Sequence, residues 1–240
     1  MTKRFSFLSL ALLALLMLMP MLTHAQSVSF GADFFNRYIW RGYDFGDSFS
    51  VQPGLALSAG NFELGTWGSY SISSDGADAN EHDLYATYSI GLGASASLDL
   101  TVTDYYFPNS GAEAGEWLNF DGDGDGAHWI ELMGAVTLPE SFPLTITAAF
   151  MAHNDPDNSL YLEGAIPFTV ADVELGFTLG LVAGESGFYG VEGASVVNLG
   201  LSASKDLQIT DNFALPLSAA YVMNPTTEKT YLVFGFSLSP

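Results

Sequence analysis

The stretch Asn61-Phe62-Glu63-Leu64-Gly65-Thr66-Trp67-Gly68-Ser69-Tyr70-Ser71-Ile72-Ser73 runs in two phases. Phe62, Leu64, Tyr70 and Ile72 fall in one phase; Asn61, Glu63, Ser69 and Ser71 fall in the other, with Gly65, Thr66, Trp67 and Gly68 ambivalent. A period of two is that of a β-strand with unlike faces. A strand of this length suits a wall between lipid and a polar interior, because bilayer hydrocarbon cannot solvate a charge and every second residue must then be apolar. The last segment repeats the pattern, with Leu232, Phe234, Phe236 and Leu238 set against Tyr231, Val233, Gly235 and Ser237.

Working outward, twelve segments of this kind occupy 28–41, 50–59, 61–73, 83–91, 95–107, 128–138, 143–153, 159–166, 172–183, 193–203, 213–223 and 229–239. An even number lets the two end strands pair antiparallel and close the sheet. The expected fold is therefore all-β, an antiparallel transmembrane β-barrel of about twelve strands in one domain, 26–240. Connections alternate in length and charge. Outer loops are expected at 42–49, 74–82, 108–127, 154–158, 184–192 and 224–228, and inner turns at Gly60, 92–94, 139–142, 167–171 and 204–212. The outer set and its margins collect carboxylates, among them Asp44, Asp47, Glu81, Asp83, Asp155 and Glu185.

Residues 1–25 read as a signal peptide, since Lys3 and Arg4 precede an apolar run from Phe5 to Met19, with a cut expected after Ala25. Beyond them four basic residues, Arg37, Arg41, Lys205 and Lys229, stand against 27 acidic ones. That balance repels nucleic acid and points to cations, small solutes, membrane lipid and lipopolysaccharide as partners; the oligomeric state stays open. The chain has no cysteine, which excludes disulfides, thiolate chemistry and a lipid-attachment cysteine. Its 48% hydrophobic and 14% aromatic content argues against a disordered acidic chain.

Phase assigns faces in the first segment. Val28, Phe30, Ala32, Phe34, Tyr38 and Trp40 share the lipid phase, which would put Tyr38 and Trp40 in the outer aromatic girdle. Arg37 and Arg41 take the interior phase, where Glu63, Glu131, Glu163 and Glu174 also fall by the alternation of their own strands. These six form the expected lumen charge cluster. Phe35 and Ile39 share that inward phase, which implies an apolar plug of side chains or a bulge.

Asn36-Arg37-Tyr38-Ile39-Trp40-Arg41-Gly42 resembles the Ser-Asp-Tyr-x-Phe-Arg-Gly signature of the Gcw_chp family, also called TorF-family porins. The likeness continues through Val51-Gln52-Pro53-Gly54-Leu55, Gly65-Thr66-Trp67-Gly68-Ser69 and Thr103-Asp104-Tyr105-Tyr106-Phe107-Pro108-Asn109. The resemblance implies an outer-membrane barrel of the porin kind, with no established substrate and no catalytic residues. Arg37 stands where the family usually carries Asp, and the chain ends on Ser237-Leu238-Ser239-Pro240 in place of the terminal aromatic common to barrel insertion signals, with Phe234 and Phe236 nearby.

Asp121-Gly122-Asp123-Gly124-Asp125-Gly126 places Asp121, Asp123 and Asp125 at alternate positions, the spacing by which a loop wraps oxygen ligands around calcium. The plainer reading is a solvated acidic loop, because the twelfth position of an EF-hand would be Leu132. His82, His128 and His153 fall at outer strand ends, each near an aspartate, and two of them could bind zinc or activate water. No Gly-x-Ser-x-Gly is present. The leading expectation is a porin passing small solutes with a cation preference through a narrow acidic lumen. Its rivals are a non-conducting surface barrel whose loops bind calcium, lipopolysaccharide or a protein, and a membrane-embedded hydrolase or acyltransferase using the rim histidines.

Overall fold

The computed structural model describes residues 26–93, 95–109 and 116–240; the signal-peptide reading and part of the long outer loop lie outside them. Twelve strands build the wall: β1 Gln26–Phe35, β2 Ser50–Ala59, β3 Phe62–Ser71, β4 Glu81–Gly91, β5 Ser97–Tyr106, β6 His128–Thr137, β7 Thr145–His153, β8 Leu160–Val170, β9 Val173–Val182, β10 Ser195–Thr210, β11 Phe213–Asn224 and β12 Lys229–Leu238. Each pairs antiparallel with its neighbours in sequence, and β1 also pairs with β12, so the sheet closes into a barrel. Closure leaves no unpaired edge for hydrocarbon to meet.

The expected phase holds around the wall. Leu57, Leu64, Leu100, Leu132, Ile146, Leu201, Leu217 and Leu232 are exposed on the outer face. Their alternates look inward, as in the pairs Ser58 with Glu63 and Thr147 with Glu163. Inner turns are tight. Ala59 pairs with Phe62 across Gly60, whose φ is 62°, and Val170 pairs with Val173 across Ala171 and Asp172, both at positive φ.

Three boundaries differ from expectation. β8 runs on to Val170 and β10 to Thr210, through residues read as inner turns. Pro167 and the charges of Lys205 and Asp206 mimic turn composition, yet Ile166, Phe168 and Val170, then Leu207 and Ile209, keep the lipid-facing alternation. β1, in contrast, stops at Phe35 instead of continuing to residue 41. Asn36 ends it: its side-chain nitrogen donates to Leu232 O at 3.0 Å, and its side-chain oxygen accepts from Phe234 N at 2.8 Å. The side chain thereby takes over backbone groups of β12 that β1 leaves, and the main chain turns into the lumen.

Tyr38 and Trp40 consequently do not reach the outer girdle. Tyr38 is 7% exposed inside the barrel, and Trp40 stacks on Tyr189 at 5.8 Å. Tyr70 and Tyr221 lie on lipid-facing phases near the outer strand ends.

Arginine placed at Leu64, Ile146 or Leu217 is expected to cost about 2–4 kcal/mol near the bilayer midplane, and at lumen-facing Thr147 clearly less. Urea unfolding in liposomes, followed by heat-modifiable gel mobility, reads the difference; equal losses for the two faces would invert the assignment.

Candidate functional site

Residues 36–49 form a hairpin inside the barrel, built on the paired segments Ile39–Trp40 and Tyr43–Asp44. Its turn is Arg41-Gly42, with φ of 49° and 86° at the two central positions, as a two-residue type I′ hairpin requires. Only glycine fits second: a Cβ on Gly42 would sit 1.9 Å from Val197 O, where β10 bulges, and Asn224 donates to Gly42 O at 3.3 Å. Arg41, forced into a left-handed conformation, is held by its side chain.

That side chain is caged. Its guanidinium bonds both oxygens of Glu131 on β6, at 2.6 and 3.0 Å, and donates to the Tyr189 hydroxyl at 2.8 Å. The Trp40 and Tyr161 rings each lie 4.4 Å from its central carbon. Burial works against the Arg41 charge, but Tyr189 and Glu131 outweigh it and its pKa lies above the ordinary arginine value. Tyr189 comes from the loop between β9 and β10, which also folds inward on a small ribbon of Glu185–Ser186 with Val191–Glu192. Burial pushes its phenol up to about 12. Tyr43 donates to Tyr189 O at 2.6 Å, and Ala149, Tyr161, Val182, Tyr189, Val191 and Val197 pack as one apolar cluster against Trp40, Tyr43, Met133 and Phe188. The outer half of the lumen is thus filled on the β6–β10 side.

The opposite side keeps space. One cavity of about 400 Å³ lies beneath Arg37 and Ile39, against Ser202, Ser204 and Ser218. A second, also about 400 Å³, lies between Asp33, Trp67 and Tyr85, and Gln52 borders both.

The six expected charge-cluster residues do not form one cluster. Arg41 and Glu131 pair, and Glu163 stands next to them, accepting from Tyr161 and from Asn198 at 3.3 Å. Glu63 is apart, held by Ser58 at 2.9 Å and Tyr85 at 3.2 Å. Glu174 pairs in register with Ser204 and Thr169 near the inner end. Arg37 is bound within its own loop, to Asp44 at 2.6 Å and Asp47 at 2.8 Å, below the Tyr231 ring. Glu81, expected in an outer loop, belongs to β4, and Asp83, expected at that loop's margin as the first residue of its strand, follows it; both face the lumen, almost fully buried.

Among the described residues no group of three or more histidine, aspartate or glutamate side chains is arranged to hold a metal. Asp121, Asp123 and Asp125 are exposed, and the backbone of their loop is fastened by Asn154, which accepts from Gly124 N and Gly126 N and donates to Gly126 O. His82 contacts Thr66 and Tyr70. His128 lies on the lipid-facing phase, covered by Phe120, its two ring nitrogens bonded to Asp104 and Trp117 O.

A closed antiparallel barrel of twelve strands, apolar side chains outward and loops folded into its interior, has the architecture of the transmembrane β-barrel class. Within that class, the model of the family described as "Bacterial protein of unknown function (Gcw_chp)" matches residues 23–234, and the chain belongs to this family. The structure is similar to that of a NanC porin in a rhombohedral crystal form, with a TM-score of 0.53 and 7% identity over 87% of this chain and 97% of that one. It is also similar to a KdgM porin in complex with disordered oligogalacturonate, with a TM-score of 0.50 and 10% identity over 88% and 98% of the two chains. No curated protein matches it. At such identities the likeness is one of fold.

Arg41→Gln leaves Glu131 buried without its charge partner and is expected to destabilise the barrel by about 3–5 kcal/mol, most of which Arg41→Gln with Glu131→Gln should recover. Urea titration of the refolded protein in micelles measures both.

Proposed function

We propose that this protein is an outer-membrane porin, exported on residues 1–25, that passes small solutes around its internal hairpin and favours cations. The observation that carries this reading is the placement of positive charge. Arg37 and Arg41 are consumed by Asp44, Asp47 and Glu131. Lys205 shares the lipid-facing phase, paired with Leu217, and Lys229 lies at the outer strand end. Asp33, Glu63, Asp99, Glu163 and Glu174 keep the interior phase and are bonded to no basic side chain among the described residues. In a narrow channel of low effective dielectric their field is weakly screened and draws cations.

The KdgM complex holds oligogalacturonate, a polyanion. Such a ligand would be repelled by the lining proposed here, so the solutes expected are cationic or neutral. No catalytic role is assigned to His82, His128 or His153.

Reversal potentials across a salt gradient in planar bilayers test the reading. The native protein should favour cations, Glu63→Gln with Glu174→Gln should reduce that preference, and high salt should blunt it. Anion selectivity, or no current over many insertions, would end it. Gly42→Val, by driving the hairpin off Val197, should raise single-channel conductance in the same apparatus.

A further inference from the structure

β4 enters the barrel with Glu81 and, two residues on, presents Asp83 on the same inward face; they are 3% and 6% exposed. Among the described residues neither has an arginine, lysine or histidine as ion partner, since the guanidinium groups nearby are bound to Glu131 and to Asp44 and Asp47. Glu81 accepts one long hydrogen bond, 3.3 Å, from the Tyr38 hydroxyl. Among the described residues, Oδ1 of Asp83 is buried and has no hydrogen-bond partner. Around them stand Ser69, in register with Glu81, and Trp67 and Tyr105, on either side of Asp83. Tyr38 closes the site from the hairpin, its ring 5.3 Å from that of Trp67.

Two buried carboxylates without a counter-charge are strongly disfavoured. A proton shared between them removes one of the two charges; a divalent cation removes both and gives Oδ1 of Asp83 a partner. The available donors are carboxylate and hydroxyl oxygens, the ligand type of a hard cation, with lumen water to complete the shell.

We propose that Glu81 and Asp83, with the Tyr38 hydroxyl, form a divalent-cation site of calcium chemistry in the lumen wall, and that the bound ion fastens the hairpin to β4 through Tyr38. The site stands on the buried carboxylates; only its effect on current rests on the conduction proposed above.

The full refolded chain in detergent, stripped with chelator, provides the test. Terbium serves as the probe, excited through Trp67 and the tyrosines beside the pair, with calcium as competitor. The wild type should give a terbium luminescence that calcium displaces, and its thermal midpoint should rise on adding calcium. Glu81→Gln with Asp83→Asn should lose both responses, and its midpoint should be no lower than that of the stripped wild type, because the uncompensated charges are gone. Asp121→Asn with Asp123→Asn and Asp125→Asn should keep both. Sensitised luminescence that survives in the Glu81/Asp83 variant would overturn the proposal, and so would a wild-type midpoint that responds to pH but not to calcium, the behaviour of a shared proton. Binding is read here without current. Absent conduction sinks the porin reading and leaves the site; intact conduction with no calcium response sinks the site alone.

Discussion

The hydrogen bonds that Asn36 makes to β12 decide how the rest of the interior is built. A strand that leaves the wall of a membrane barrel strands backbone groups on its neighbour, and in hydrocarbon those groups have no water to turn to. Asn36 carries an acceptor and a donor on one amide and supplies them to Phe234 N and Leu232 O. With those groups satisfied, the chain is free to leave β1 six residues before the expected end of the strand and to carry a hairpin inward. The aromatic packing, the caged arginine and the lopsided lumen are all downstream of that departure.

Within the hairpin, polar and steric demands meet at adjacent residues. Gly42 lets the turn touch the β10 bulge, and Arg41, beside it, commits both terminal nitrogens to Glu131 and Tyr189. An arginine that is caged in this way acts as a fastener and contributes little to the field in the channel. The carboxylates farther down the wall are left to set that field, the electrostatic basis of the proposed selectivity.

The wall was legible in the sequence because its rule is simple: one residue in two must be apolar. Strand number, closure and the lipid-facing positions all follow from it. The hairpin was not legible, because Tyr38 and Trp40 are amphipathic rings equally suited to a membrane interface and to a polar interior, and phase alone continues β1 through them. Phe35 and Ile39, apolar on the inward phase, carried the one signal that something fills the lumen there. Glu81 and Asp83 were hidden for a related reason. Glu81, beside Asn80 and His82, looks like solvated loop, and Asp83 stands at the loop margin as the first residue of its expected strand; only the pairing of Glu81 with Ser69 and of Asp83 with Trp67 and Tyr105 shows both on the inward face.

The seam between the first and last strands has a consequence for assembly. β1 is in register with β2 over ten residues and with β12 over only four, and the bonds that complete the seam join positions 196 and 198 residues apart in the chain. Contacts of such separation carry the greatest loop-closure cost and form late. The hairpin hangs from this same seam strand. Zipping β1 against β12 and seating the hairpin are therefore one event, and any lateral parting of the barrel at this junction would carry the hairpin out with it.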